Sequence, residues 1–71
     1  MTNRYVYNIP TIGDVVFWQN SDGLEFASRG KISLGLIFSL QVAIRLAIVV
    51  GTSWPDRVQG NGQTAIKISG D

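Results

Sequence analysis

The sequence contains no cysteine and no histidine. These absences exclude disulfides, the usual zinc sites, and haem or chlorophyll held by histidine. A chain of 71 residues buries only a marginal core when it folds alone, and disulfides or metals are the common remedies. Protein partners or a lipid bilayer therefore remain as additional sources of stability.

Charged residues are also scarce. They make up 15% of the chain, against roughly a quarter in typical soluble domains, and the net charge is +1. The basic residues are scattered and form no stripe, so we expect no nucleic-acid partner. The acidic residues show no spacing suited to acid–base work, and no nucleophile–base set can be assembled without cysteine or histidine. We therefore expect a protein that is not an enzyme.

The apolar residues are concentrated in one run, residues 32–50, which reads ISLGLIFSLQVAIRLAIVV. A helix needs about 20 apolar residues to cross the hydrocarbon core of a bilayer. Lys31 directly precedes the run, and Trp54 and Pro55 follow it, as expected at membrane interfaces and helix ends. The run predicts a transmembrane helix over residues 31–51, between extramembrane segments 1–30 and 52–71. The fold class predicted is mainly α.

A strand is the alternative for the same run. Every even position is large and apolar, whereas the small or polar residues fall on odd positions: Ser33, Gly35, Ser39, Gln41, Ala43, Arg45 and Ala47. Such alternation is typical of a half-buried strand. Strands in globular domains usually span about three to ten residues, however, and this run is far longer. Its length and hydrophobicity favour the helix, and a small all-β, barrel-like domain is the alternative fold.

Gln41 and Arg45 are four residues apart and would share one face of a helix. A polar pair facing lipid is costly, so this face is predicted to dock against a partner subunit, with Gln41 as a candidate chlorophyll ligand. Alternatively, Arg45 snorkels to the interface and Gln41 bonds a neighbouring backbone. Gly35 and Ser39 form a small-xxx-small pair that would allow another helix to approach closely.

Aromatic residues and turn formers lie on both sides of the run. Trp18 and Trp54 are predicted to anchor the chain at the membrane interface, or else to form a small satellite core. Residues 19–23 and 60–62 carry turn signals. Residues 64–68 (TAIKI) read as a short strand, either an ordinary tail segment or one that adds to the sheet of a partner.

Residues 12–16 (IGDVV), the NSD turn at residues 20–22 and the single apolar span resemble the layout of small single-span photosystem subunits, notably the photosystem II H-subunit type. The resemblance implies a non-catalytic subunit that stabilises or tunes an energy-transducing membrane complex. Its partners would be larger membrane subunits and the lipid of a thylakoid or cytoplasmic membrane. The basic residues flanking the helix favour a cytoplasmic or stromal N-terminus.

A second resemblance is to PilZ domains, the small barrels that bind cyclic-di-GMP. Residues 23–28 (GLEFAS), Trp54-Pro55 and residues 66–70 (IKISG) look like parts of that barrel. The family has Asp or Asn at the position of Trp18 and Ser at the position of Asn20. No paired-arginine motif precedes these positions. A degenerate PilZ domain implies a soluble all-β interaction domain, which is the alternative function.

Alkaline carbonate extraction of cell membranes separates these two expectations. A chain that spans the bilayer stays in the membrane pellet, because its helix is held by hydrocarbon rather than by surface charge. Release of the intact chain into the supernatant would reject the single-span subunit.

Overall fold

The computed structural model describes residues 4–51 and 53–70. The elements are β1 (Arg4–Ile9), β2 (Gly13–Asn20), β3 (Gly23–Ser28), α1 (Leu34–Gly51), β4 (Arg57–Gly60) and β5 (Gln63–Gly70). The strands form one antiparallel sheet in the order β3-β2-β1-β5-β4, curled into a half-barrel. Three consecutive strands therefore precede the helix, and a hairpin follows it and adds β5 beside β1.

Tight turns join the paired strands because the sequence supplies the residues that such turns need. Asn61 and Gly62 connect β4 to β5, and both have positive φ (52° and 79°), as a type I′ turn requires. Between β2 and β3, the side chain of Asn20 accepts a hydrogen bond from the backbone N–H of Asp22 at 2.8 Å. Gly23 then starts β3 with a φ of 128° that favours glycine.

Alternate residues of the strands face the core. Tyr7 and Ile9 of β1 and Val15 and Phe17 of β2 are completely buried, whereas the residues between them are partly exposed. The remaining buried strand residues are Leu24, Val58 and Ala65. The sheet therefore has one apolar face that another layer must cover.

Helix α1 provides that layer. Ser33 caps its N-terminus, because its hydroxyl accepts a hydrogen bond from the N–H of Leu36 at 3.1 Å. Leu36, Ile37, Leu40 and Ile44 recur at helical spacing and are buried in the same cluster as the strand residues.

The helix contacts both outer strands of the sheet. On one side, a Cβ atom added to Gly60 of β4 would lie 2.8 Å from the Cβ of Ser39 and 3.2 Å from the backbone N of Leu40. On the other side, Gln41 Nε2 donates a hydrogen bond to the carbonyl oxygen of Leu24 in β3 at 2.9 Å. Since β3 and β4 are the two ends of the sheet, α1 spans the open side of the half-barrel.

The predicted mainly α fold is wrong: the structure is 48% strand and 27% helix. The run at residues 32–50 does contain a helix, which begins at Leu34 and ends at Gly51. The flanking segments, however, pair into five strands instead of remaining short appendages. No single segment indicates this sheet, because the alternating apolar residues of each segment are buried only against the other strands and the helix. The structure is mainly β and matches the alternative fold, with one helix packed on the sheet.

The odd–even alternation within the run has a helical explanation. Ser39, Ala43 and Ala47 follow one another at four-residue spacing on the row that includes the contact with Gly60. Gln41 and Arg45 form a row on the other side of the helix, the side of β3. Ser39 allows the close approach of β4, and the polar residues lie at the other margin of the helix.

Gly60→Ala is expected to destabilise the fold by about 1–3 kcal/mol, because the added methyl group meets helix backbone that cannot move aside alone. Urea unfolding followed by circular dichroism measures the change. Gly51→Ala is the matched control, since an added Cβ there has no heavy atom within 4 Å. Equal stability of the two variants would contradict the close contact between β4 and α1.

Candidate functional site

The outer face of α1 is the most prominent surface of the molecule. Its large apolar side chains are between 61% and 86% exposed: Leu34, Phe38, Leu46, Val49 and Val50. Val42 lies among them and is partly buried. Burial of an aliphatic or aromatic side chain is worth about 1.5–3 kcal/mol, so each of these residues leaves hydrophobic free energy unused in this structure. We define these six residues as the outer face.

Arg45 is the one charged residue of α1, and it lies at the margin of the outer face. Its Nη2 atom is 3.4 Å from the position of a Cβ added to Gly23, so the guanidinium group extends over the turn between β2 and β3. Gln41 lies one turn earlier and donates to the carbonyl of Leu24. The structure thus brings the predicted docking pair together on one side of the helix, against β3 of the same chain. Docking of a partner and chlorophyll ligation there stay predictions.

The predicted small pair faces the opposite margin. Ser39 lies against Gly60, and the nearest heavy atom to a Cβ on Gly35 is Asn61 Nδ2, at 3.8 Å. Gly35 is exposed, whereas Ser39 is partly buried. Close packing therefore occurs at Ser39, with a strand of the same chain. Gly35 leaves a shallow gap beside the outer face.

The two tryptophans occupy different layers. Trp54 is buried in the core and stacks on Tyr5, with ring centroids 4.2 Å apart and an interplanar angle of 17°. Trp18 is adjacent to the buried Phe17 and points to the opposite side of the sheet, where the Arg4 guanidinium lies 5.6 Å from the centre of its ring. Membrane anchoring by these residues stays a prediction.

A cleft of about 580 Å³ lies beside the Tyr5–Trp54 stack, and Lys67 and Asp56 line it. Lys67 Nζ donates to the Trp54 carbonyl at 3.1 Å, pairs with Asp56 at 3.1 Å and lies 5.8 Å from the centre of the Tyr5 ring. These contacts of the Lys67 ammonium group hold the segment after α1 against the sheet.

Tyr7 lies in the core beneath this segment. Its hydroxyl donates a hydrogen bond of 2.5 Å to the carbonyl oxygen of Pro55. Burial raises the pKa of the phenol well above its ordinary value, and the negative charge of Asp56 raises the pKa further. The phenol is therefore neutral at physiological pH and serves as a hydrogen-bond donor.

Residues 4–51 and 53–70 contain no group of three or more Asp or Glu side chains that could hold a metal ion. By length and composition, α1 could cross a membrane, but the core helix of a soluble protein or a signal sequence passes the same criteria. Comparison with protein-family models, with curated proteins and with solved structures finds no match. The function must be inferred from the geometry alone.

The sequence alone does not identify most of the outer face as a site. It places Phe38, Leu46 and Val49 in the predicted membrane span. The helix itself carries a signal for this site. In a two-layer domain only one face of a helix packs on the sheet, so a helix with apolar residues on two faces leaves one of them exposed. That signal identifies a site only once the strands that cover the first face are known.

Tyr7→Phe is expected to lose less free energy of unfolding at high pH than the natural chain does. The folded chain holds the phenolic proton more tightly than the unfolded chain, so the contribution of Tyr7 is complete below about pH 10. It decreases above that pH by about 1.4 kcal/mol per pH unit as the unfolded phenol ionises. Urea unfolding of both proteins at a series of pH values from 8 to above 10 measures the difference. Parallel curves would show that Tyr7 does not have the raised pKa.

Proposed function

We propose that this chain is a small, non-catalytic protein-interaction domain that works outside the bilayer and binds its partner through the outer face. The observation that carries the proposal is the set of large apolar side chains exposed along α1. At roughly 100 Å² each, five such side chains amount to about 500 Å², at the upper end of what monomeric proteins expose. A patch of this kind is typical of a protein-binding surface.

The position of the patch supports this function. The opposite face of α1 is fixed in the core by Leu36, Leu40 and Ile44. Ser33 caps the helix, and Gln41 and the contact with Gly60 hold it from both sides. The outer face is therefore presented on a rigid support, which reduces the entropy lost on binding.

The sheet offers less to a partner. On its other side, Ile66 and Ile68 are 45% and 55% exposed, but they are only two residues of one strand. Strand β5, which contains residues 64–68, pairs with both β1 and β4. Residues 64–66 pair with β4 and residues 66 and 67 pair with β1, so much of this segment already pairs within the chain, and its addition to the sheet of a partner stays a prediction.

The single-span membrane subunit is the second candidate function, and the length and composition of α1 favour it. Its finer features, a place in a photosystem-like complex and an N-terminus on the cytoplasmic or stromal side, rest on sequence alone. Spanning a bilayer would require α1 to leave the sheet and expose Tyr7, Phe17 and the rest of the core to water. The cost of that exposure favours the interaction domain.

The absence of natural cysteine allows a direct test of the outer face. In intact cells that make the chain, the thiol of Val49→Cys is expected to react with a membrane-permeant maleimide at least about tenfold more slowly than that of Ser69→Cys. Ser69 is exposed near the end of β5, away from the helix, and serves as the matched control. The slowly labelled chain is also expected to be released from membranes by alkaline carbonate. Release shows that protein, and not lipid, covers the thiol of Val49→Cys.

Two results would reject the interaction domain. Equal labelling rates at the two positions would mean that the outer face stays in water. Slow labelling of a chain that resists carbonate extraction would mean that lipid covers the face, as in the second candidate function.

A further inference from the structure

We propose that the partner of the outer face is a second copy of this chain, with the two α1 helices packed antiparallel and crossing at Val42. This inference rests on the proposed function and names its partner. It is carried by the spacing of the exposed residues, by the position of Arg45 and by the area available.

The exposed residues are arranged symmetrically about Val42. Leu34 and Val50 lie eight residues before and after it, and Phe38 and Leu46 lie four residues before and after it. In an antiparallel pair centred on Val42, each residue lies at the level of the one at the same distance on the other side of the centre. Phe38 then meets Leu46 of the second copy near the contact line, whereas Leu34 and Val50 lie on the two flanks of the interface. A two-fold interface requires this kind of self-complementary surface.

Residue size matches at the next pair. Gly35 and Val49 lie seven residues before and after Val42, so they also oppose each other. Gly35 is exposed and has only Asn61 Nδ2 near its open side, at 3.8 Å. The gap at Gly35 is thus placed to receive the side chain of Val49. Phe38, Val42 and Val49 follow spacings of four and seven residues, as in the contact line of packed helices.

The charge of Arg45 favours this orientation. In a parallel pair the two Arg45 side chains would lie beside each other at the same level and repel. In the antiparallel pair they lie three residues on either side of the centre, about 9 Å apart along the helix axis. Each guanidinium group also extends over Gly23 of its own chain, away from Val42. The centre of the interface is therefore free of charge.

The area is sufficient for a specific dimer. Two outer faces of about 500 Å² bury about 1,000 Å² in total, the lower bound for a specific protein–protein interface. The length of α1, about 27 Å for its 18 residues, allows contact along its whole outer face.

Disulfide cross-linking of purified single-cysteine variants tests the orientation. Val42→Cys is expected to cross-link with itself on mild oxidation, because a residue at the two-fold axis meets its own copy within disulfide distance. Val49→Cys alone is expected to give at most about a tenth of that yield, whereas a mixture of Gly35→Cys and Val49→Cys is expected to cross-link efficiently. Efficient self-cross-linking of Val49→Cys would overturn the antiparallel pairing.

Sedimentation equilibrium of the natural chain tests the partner. A dimer is expected, and Gly35→Gln is expected to raise its dissociation constant about tenfold or more by filling the gap that receives Val49. Gly51→Gln, at the end of the helix, is the matched control and should leave the constant unchanged. Circular dichroism and urea unfolding confirm that each variant folds.

The outcomes separate this inference from the proposed function. A monomer whose Val49→Cys thiol is protected in cells but reacts freely once purified would overturn the second copy and retain an interaction domain with a different protein partner. A thiol that reacts freely in both settings would overturn both proposals. Binding of the purified chain to phosphatidylcholine vesicles through the outer face, with no dimer in solution, would also overturn both.

Discussion

The fold depends on the contact of one helix with both ends of a curled sheet. Strand β4 reaches α1 because Gly60 has no side chain where it meets the backbone of Leu40. Strand β3 is held by the hydrogen bond from Gln41 to the Leu24 carbonyl. An open half-barrel would expose the apolar face that contains Tyr7, Ile9, Val15 and Phe17, and it would leave two strand edges prone to pairing with other chains. The helix covers that face and lies between the two edges.

This closure explains why the helix is so apolar. A surface helix normally carries one apolar face and one polar face. Here the inner face fills the half-barrel, the polar residues Gln41 and Arg45 lie on the side of β3, and the outer face is apolar as well. The inner face is accounted for by the fold, whereas most of the large side chains of the outer face are exposed. The outer face is therefore the surface for which we propose binding of a partner.

A second set of contacts fixes the chain after the helix. Trp54 stacks on Tyr5, Lys67 bonds Trp54 and Asp56, and Tyr7 bonds Pro55. Together they join the segment between α1 and β4 to the neighbouring strands β1 and β5. The hairpin of β4 and β5 is thereby placed so that Gly60 reaches the helix. The most conspicuous polar and aromatic cluster of the molecule thus supports the architecture.

The sequence alone identified the apolar run, the turns at residues 19–23 and 60–62 and the short strand near residues 64–68, because these depend on neighbouring residues. It also indicated that Gln41 and Arg45 share a helix face, since four-residue spacing is a local property. It did not determine that residues 4–28 and 57–70 form one sheet, which depends on pairings between distant residues such as Tyr5 and Gly70. Only the tertiary structure decided which face of α1 is buried. A helix that is apolar on all sides carries no information about where the sheet will lie, and the candidate site is the face that the sheet leaves open.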